Sequence, residues 1–269
     1  MSPATTEAAG ASPPPDRPHL YVTGVKKSFG GVEALRDTDF EVRRGEVMAL
    51  VGDNGAGKST LMKVLAGAER ADDGQFVLDG AKVAIASPHD ATDLGIQIVY
   101  QDLALCENLD VSANLFLGHE TVSDEGWTRF LPAVLRPLDA LGMEQKAQEA
   151  IARLEVRTLK SVRAQVGVLS GGQRQAIAIA RAVGAESTVV LLDEPTAALG
   201  VAQTQQVLDV VRRLRESNHA IVYISHNLRD VFEIADRITV LRHGANVGVY
   251  RTEETNPDEI VVAMTRGTD

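Results

Sequence analysis

A glycine-rich loop between an apolar strand and a helix contains the first residues of this chain whose types and spacing indicate chemistry. Residues 52–59, GDNGAGKS, match the phosphate-binding pattern G-x-x-x-x-G-K-S at every fixed position. Glycines let the backbone curl so that successive N–H groups point at phosphate oxygens, and the following helix presents its positive end to the same anion. Lys58 would supply a cation for the β and γ phosphates, and the Ser59 hydroxyl would be a ligand for Mg²⁺. The residues predicted to hold the nucleotide here are Gly52, Asp53, Asn54, Gly55, Ala56, Gly57, Lys58, Ser59 and Thr60.

Two adjacent acids end a second apolar strand and narrow the chemistry. By itself the glycine-rich loop indicates only that a nucleotide binds, since kinases, GTPases and motor ATPases share this loop. The alternative is that the segment is a glycine-rich turn without a ligand. In residues 189–195, VVLLDEP, the strand end can present Asp193 to Mg²⁺ beside the loop. Because the chain turns at that point, Glu194 can orient the attacking water or accept its proton. The alternative is a polar strand end that caps the next helix.

A third motif of small residues precedes a helix at residues 169–181, LSGGQRQAIAIAR. Small residues at a helix start form another anion-binding site, which need not serve the phosphate of its own chain. The segment LSGGQ, about twenty residues before the strand that ends in Asp-Glu, resembles the signature of the ABC ATPases. The resemblance extends from residue 20 to about residue 244. It implies contacts with ATP for Ser170, Gly171, Gly172 and Gln173.

Three single residues resemble further elements of that family, in chain order. Phe29, in KSFGG, resembles the aromatic residue that stacks on adenine, and the alternative is a core phenylalanine. Gln101, in IVYQD, resembles the glutamine that touches Mg²⁺ and the attacking water and faces a membrane permease; alone it would be an ordinary surface residue. His226, in YISHN, resembles the histidine that contacts the γ-phosphate. The resemblance thus implies a catalytic set of Lys58, Gln101, Glu194 and His226 and a metal-binding set of Ser59, Gln101 and Asp193.

One position departs from the family pattern. After the two acids the family usually has an aspartate that helps to couple two ATP sites, whereas this chain has Gly200, in TAALG. The base, the metal ligand and the histidine are present, so ATP hydrolysis is still expected. A cassette that binds ATP with little hydrolysis is the alternative. We expect Gly200→Asp to alter the cooperativity of ATP hydrolysis.

The resemblance also implies partners. In this family the signature of one cassette caps the ATP bound by another, so the working unit would be a head-to-tail homodimer holding two ATP molecules beneath membrane permease subunits. Residues 98–118 and 224–238 resemble the importers of monosaccharides such as ribose, galactose and fructose, in the branch with one cassette per chain. Such importers also use a solute-binding protein. Within transport, an importer of another solute or an exporter are the alternatives.

Composition argues against other classes within and beyond this family. ABC ATPases of DNA repair or chromosome organisation carry coiled coils or zinc modules, and translation-associated members usually carry two cassettes. With 27 basic and 37 acidic residues the formal net charge is -10, which argues against a nucleic-acid partner. Cys106 is the single cysteine, so an intrachain disulfide is excluded. The five other histidines, His89 and His219 among them, are interpreted as surface residues.

Alternating strands and helices must position these motifs. Short apolar runs predict strands at 20–25, 38–42, 47–51, 76–78, 83–85, 96–100, 188–192, 220–224, 237–241 and 247–250. Helical patterns occur at 58–66, 138–154, 173–183, 202–216 and 228–235, and after Pro257. Together with the resemblance, this alternation predicts an α/β fold of the P-loop NTPase (ABC ATPase) class. Its core would have a mostly parallel sheet, an antiparallel β part and an inserted α-helical subdomain at about 102–166.

The two ends of the sequence and its hydropathy complete the prediction. Residues 1–18 are rich in Pro, Ala, Ser and Thr, which predicts a disordered lead-in before the cassette at 19–250; residues 251–269 would form a C-terminal helical tail. No run of 18 apolar residues occurs, and the start lacks the features of a secretory signal. We therefore expect a cytoplasmic protein that is peripheral on the inner face of the cell membrane through its permease.

Overall fold

The structure of the protein is a computed structural model, which describes residues 18–123, 136–156, 159–183 and 187–266. The lead-in predicted at 1–18 therefore lies almost wholly outside the described residues. Within the described ranges, no helix is long and apolar enough to cross a membrane.

An antiparallel sheet is built from β1 (Leu20–Phe29), β2 (Val32–Val42), β4 (Asp73–Leu78) and β5 (Ala81–Val83), in the order β2-β1-β4-β5. The predicted antiparallel part is thus confirmed. The first two strands are longer than predicted because they continue into a hairpin that places Phe29 opposite Val32, and bulges along β1 interrupt the alternation on which the prediction depended.

The position predicted for the strand at 83–85 is wrong, because β5 ends at Val83, where that strand was expected to begin. Asp79 and Gly80 both have positive φ and form a two-residue turn that pairs Leu78 with Ala81, so the strand starts directly after the turn.

Among the described residues, the central sheet has six strands. They are β3 (Val47–Val51), β6 (Ile96–Val99), β7 (Val189–Asp193), β8 (Ala220–Ile224), β9 (Arg237–Arg242) and β10 (Ala245–Arg251). Their order is β10-β9-β3-β8-β7-β6, and every neighbouring pair is parallel except β10 with β9. The mostly parallel core is confirmed, and β3 and β8 have the predicted bounds.

Eight helices flank the sheets in the described ranges. They are α1 (Lys58–Leu65), α2 (Pro88–Asp93), α3 (Val111–Phe116), α4 (Ala140–Arg153), α5 (Gly171–Ala182), α6 (Val201–Glu216), α7 (Leu228–Ile234) and α8 (Pro257–Arg266). Helix α2 was not predicted, since it is too short to show a period, although Ser87 followed by Pro88 is a typical start. The described part of residues 102–166 contains α3 and α4, and its other residues are not in α-helices, so this part is less continuously helical than predicted.

Apolar side chains cover both faces of the central sheet. Strand β3 shows the arrangement: Val47, Ala49 and Val51 pack in the cluster that contains residues of α5 and α6. The intervening Met48 and Leu50 pack in the cluster that contains residues of α1 and of the antiparallel sheet. A strand buried on both faces needs a continuous apolar run, which is why its position could be predicted from the sequence.

One histidine that was interpreted as a surface residue is buried, and a second is only partly exposed. His19 is buried, with Nδ1 2.6 Å from Asp79 Oδ1 and Nε2 2.9 Å from Thr188 Oγ1. His219 is half-buried, and its Nδ1 lies 3.2 Å from the carbonyl oxygen of Leu214. Burial lowers the pKa of both imidazoles. The interpretation was wrong because an isolated polar residue at a strand boundary carries no periodic signal of burial.

Candidate functional site

Four of the predicted functional segments lie along one edge of the central sheet. Residues 52–59 follow β3, His226 follows β8, Asp193 ends β7 with Glu194 next to it, and Gln101 follows β6. Since β3, β8, β7 and β6 are consecutive parallel neighbours, their carboxyl ends meet at the same edge. This is the edge at which ligands bind in open α/β sheets.

The backbone of the loop at 52–59 requires glycine at two positions. Gly52 has φ 153°, and a Cβ there would collide with the carbonyl oxygen of Leu241. Gly57 has φ 104° at the start of α1, and a Cβ there would lie 2.7 Å from the carbonyl oxygen of Ala34. Both are conformations or approaches that only glycine tolerates, so the loop is held close to β2 and β9. The exposed tip at Asp53, Asn54 and Gly55 leaves the backbone accessible to an anion.

Lys58 is held over this loop. Its Nζ donates to the carbonyl oxygens of Gly52 at 2.7 Å and Asp53 at 3.1 Å. Burial lowers the pKa of the ammonium group, whereas the carboxylates of Glu194, Asp53 and Asp193 act to raise it. A partly desolvated cation beside open backbone N–H groups attracts phosphate oxygens more strongly than a fully hydrated one.

Asp193 lies half-buried at the end of β7. Burial raises the pKa of its carboxyl group, the neighbouring Glu194 raises it further, and Lys58 opposes both. A carboxylate that is partly desolvated beside a second carboxylate is a favourable ligand for a divalent cation. Ser59 at the start of α1 and Gln101 after β6 are exposed and offer further oxygen ligands. This set fits Mg²⁺, which usually takes one or two protein oxygens and completes its shell with phosphates and water.

Glu194 contacts His226 directly. The His226 Nδ1 lies 2.7 Å from Glu194 Oε2, and the imidazole is 70% exposed while the carboxylate is half-buried. Glu194 has φ 49°, so the chain leaves the alternation of β7 at this residue, and its N–H donates to the carbonyl oxygen of Ile224 at 3.0 Å. Left-handed backbone at a non-glycine residue is unfavourable and is concentrated at functional sites. The turn predicted at the strand end is therefore present.

Phe29 is not a core residue, so that alternative is wrong. Its side chain lies at the end of β1 and is 46% exposed. The Nζ of Lys27 lies over one face of the ring, 5.1 Å from the ring centroid. Sequence reasoning did not single out Lys27. Lys27 is itself held by the carbonyl oxygen of Arg70 at 2.8 Å and by the carboxylates of Glu69 and Asp72. A base could therefore stack only on the opposite face.

The LSGGQ motif packs on different elements from the phosphate loop. Ser170 and Gln173 form a capping box at the start of α5, with Gln173 N donating to Ser170 Oγ at 3.3 Å and Ser170 N donating to Gln173 Oε1 at 2.9 Å. A Cβ at Gly171 would lie 2.8 Å from Leu199 Cδ2, and one at Gly172 would lie 3.1 Å from Gln203 O. Helix α5 packs against α3, α4, α6 and β6, whereas α1 packs against β2 and β7.

Gly200 starts α6 next to that motif. It has φ -75° and ψ 162°, which any residue can adopt, and apart from its two chain neighbours no residue of the described chain has an atom within 4 Å of a Cβ built there. Its missing side chain leaves the start of α6 without a side-chain cap. An aspartate at this position would meet no steric obstacle.

Sequence reasoning also missed a buried polar group behind Glu194 and His226. Thr196 Oγ1 donates to Asp230 Oδ2 at 2.7 Å and lies 3.2 Å from the hydroxyl of Tyr223, and all three residues are buried. One signal was available, since a buried tyrosine in the otherwise apolar strand β8 needs a hydrogen-bond partner.

Known proteins resemble this chain along most of its length. The family described as ABC transporter matches residues 35–197. The chain is 41% identical over 246 residues to the xylose/arabinose import ATP-binding protein of Sulfolobus acidocaldarius, covering 91% of this chain and 93% of that protein. It is 40% identical over 248 residues to the fructose import ATP-binding protein of Rhizobium meliloti, covering 92% and 94%. A ribose import ATP-binding protein of Rubrobacter xylanophilus is 42% identical, but the chain spans only 47% of it.

Solved structures share the fold. A nucleotide-free ATP-binding cassette from an ABC transporter superposes with a TM-score of 0.76 at 24% identity, covering 94% of this chain and 100% of that one. A dimeric cassette in a post-hydrolysis state, bound to ADP and phosphate, gives 0.68 at 22% identity and covers 87% and 98%. At these identities the likeness establishes the architecture alone.

Proposed function

Since the chain belongs to the ABC transporter family of ATP-binding cassettes, we propose that it binds and hydrolyses ATP to power the import of a monosaccharide through a partner permease. The observation that carries the hydrolytic part is the single sheet edge that bears the phosphate loop, Asp193 and the contact between Glu194 and His226. The sugar rests on the two relatives of matching length, which are named for xylose/arabinose and fructose import.

The phosphate loop and Lys58 bind the triphosphate. When a nucleotide is present, Lys58 exchanges its bonds to the loop carbonyls for bonds to phosphate oxygens, and the N–H groups at the start of α1 face the same anion. Ser59 and Asp193 would hold Mg²⁺, with Gln101 beside the ion. The bound ion would neutralise charge on the β and γ phosphates. Phe29 stacks on adenine with the face that Lys27 leaves open.

Glu194 and His226 act on the γ-phosphate and on the attacking water. The Glu194 carboxylate orients the water and accepts its proton. His226 Nδ1 holds that carboxylate in place, and the exposed remainder of the imidazole is available to the γ-phosphate. Since kcat depends on interactions made in the transition state, loss of either side chain should lower kcat more than it weakens ATP binding.

A second copy of the chain supplies the remaining contacts. The LSGGQ motif packs on α6 rather than on the elements around the phosphate loop of its own chain, which supports its use by the ATP of a partner cassette. ATP bound between two copies would favour the closed homodimer, and hydrolysis would release it. Gln101 and the helices of residues 102–166 would pass that closure to the permease, while a solute-binding protein would deliver the sugar.

Phosphate release by the full chain with ATP and Mg²⁺ tests the hydrolytic proposal. Glu194→Gln should lower kcat by about 10²-fold or more and accumulate an ATP-bound dimer on a sizing column. Glu254→Gln, at an exposed glutamate in the turn before α8, is the matched control and should behave as wild type. A wild type that binds ATP but releases no phosphate, even with its permease, would contradict the proposal and favour the alternative that Gly200 raises, a cassette with little hydrolysis.

The sugar and the direction of transport require the permease. With the permease and the solute-binding protein in vesicles, ATP should drive inward movement of pentoses or fructose and stimulate phosphate release only when the sugar is present. Movement in the opposite direction, or stimulation by an unrelated solute alone, would show that the transported class or direction is wrong.

A further inference from the structure

The buried group of Thr196, Asp230 and Tyr223 connects the two loops that carry Glu194 and His226. Thr196 lies two residues after Glu194, in a turn closed by the N–H of Ala197 donating to the carbonyl oxygen of Glu194 at 3.1 Å. Tyr223 is on β8, three residues before His226, and Asp230 is in the first turn of α7 after it. The hydrogen bonds therefore cross from the loop after β7 to both sides of the loop after β8.

The direction of each hydrogen bond follows from the proton count. The Thr196 hydroxyl has one proton, and it donates that proton to Asp230 Oδ2 at 2.7 Å. The Tyr223 hydroxyl, 3.2 Å away, must then donate to Thr196 Oγ1. Burial strongly raises the pKa of Tyr223, which keeps this hydroxyl protonated as the donor. The group is thus a directed chain from Tyr223 through Thr196 to Asp230.

The backbone at His226 is held by the residue before it. Ser225 Oγ accepts the N–H of Asn227 at 3.0 Å. His226 is the residue between these two, so its backbone is held in a small turn whose anchor is buried. The opposite loop is held at Thr196, and Glu194 adopts left-handed backbone at its start. Such a conformation persists only where the surrounding contacts determine it.

We propose that Thr196, Asp230 and Tyr223 are positioning residues for hydrolysis, which hold the Glu194 carboxylate and the His226 imidazole at their contact distance. The inference rests on the proposed hydrolysis at Glu194. None of the three touches the nucleotide side of the edge, since all are buried beneath it. Their loss should therefore misplace Glu194 and His226 without removing a contact to ATP, and displacement of catalytic groups by about 1 Å can cost about 10²-fold in rate.

The test compares isosteric variants in the full chain, with kcat and KM for ATP measured in the presence of the permease and the melting temperature measured alongside. Thr196→Val removes the hydroxyl and keeps the shape, and it should lower kcat by about ten- to a hundredfold with KM changed less than about twofold. Thr196→Ser keeps the hydroxyl and should restore kcat to near the wild-type value. The matched control is Thr239→Val, which removes a buried hydroxyl on β9 that donates to Met48 Sδ, and its kcat should be unchanged.

The outcomes separate the inference from the function on which it rests. Equal kcat for Thr196→Val and Thr239→Val would overturn the positioning role while leaving hydrolysis intact, as would a failure of Thr196→Ser to restore kcat. If Thr196→Val does not fold, Tyr223→Phe decides, because it keeps the bond from Thr196 to Asp230 and cuts only the link to β8. A severalfold loss of kcat at constant KM would support the role, and wild-type kcat would overturn it. A wild type without phosphate release would instead refute the proposed hydrolysis, and the positioning role with it.

Discussion

Gly200→Asp is expected to stabilise the fold and to change the coupling between ATP sites at the same time. Gly200 starts α6 with backbone angles that suit aspartate, and space for the side chain is open in the described structure. The new carboxylate can accept the N–H of Ala202, at a helix start that has no side-chain cap in the wild type. The substitution is therefore a gain of contacts without strain.

The magnitude follows from two local effects. Replacing glycine by aspartate as the capping residue contributes a few tenths of a kcal/mol, and a negative charge at an exposed helix start contributes about 0.3–1 kcal/mol. The sum is about 0.5–1.3 kcal/mol in the free energy of unfolding. For a domain of this size that corresponds to a rise of about 1–5 °C in melting temperature.

Two controls separate the cap from the charge. Gly200→Asn caps the helix as well as aspartate but adds no charge, so it should raise the melting temperature by a smaller amount. Gly200→Ala provides neither the cap nor the charge, so neither effect should raise its melting temperature. Melting is followed by differential scanning fluorimetry at low salt, and the Hill coefficient for ATP hydrolysis is measured for all three variants with the permease.

Three results would count against this reasoning. A lower melting temperature for Gly200→Asp would mean that the open space around Gly200 is filled in solution. Equal stabilisation by Asp and Ala would exclude capping as the cause. A Hill coefficient that is the same in Gly200→Asp and the wild type would refute the idea that the missing carboxylate weakens coupling between the two sites.

The remaining predictions concern the proposed metal ligand Asp193 and Phe29, which is proposed to stack on adenine. Because burial raises the pKa of Asp193, its contribution to stability is present below its ordinary pKa and is lost as the pH rises through the raised value. Asp193→Asn should therefore raise the melting temperature at pH 7 in EDTA while Mg²⁺-dependent hydrolysis falls by about 10²-fold or more; a lower melting temperature would contradict this. Phe29→Ala should raise KM for ATP by about 5- to 150-fold with little change in kcat, because it removes the ring on which adenine would stack. Phe29→Tyr keeps an aromatic ring and should retain the stacking. Equal KM values in the two variants would exclude stacking of adenine at this position.

Several parts of the site were predictable because local patterns encode them. The loop at 52–59 combines a buried strand, glycines at conformations that other residues avoid, and a helix start, all within one short segment. Strands β3 and β8 were located correctly since a strand covered on both faces must be a continuous apolar run. The capping box at Ser170 and Gln173 is likewise a pattern between residues three apart.

Other errors came from features that local patterns describe poorly. Strands β1 and β2 were predicted too short, because bulges in the antiparallel pair carry polar residues through the strand. The two-residue turn at Asp79 and Gly80 moved β5, and α2 was too short to show a helical period. His19 was taken for a surface residue because its hydrogen-bond partners, Asp79 and Thr188, come from distant parts of the chain.

What the sequence by itself determined is the presence of each functional group and the strand end at which it would lie. What only the tertiary structure decided is how these groups touch one another: His226 on Glu194, Lys27 over Phe29, and Thr196 bonded to Asp230. Those contacts depend on the order and register of the parallel strands β7 and β8 and on the turns that follow them. Hydrogen bonds between residues far apart in sequence leave no periodic pattern, since their geometry exists only once the sheet has formed.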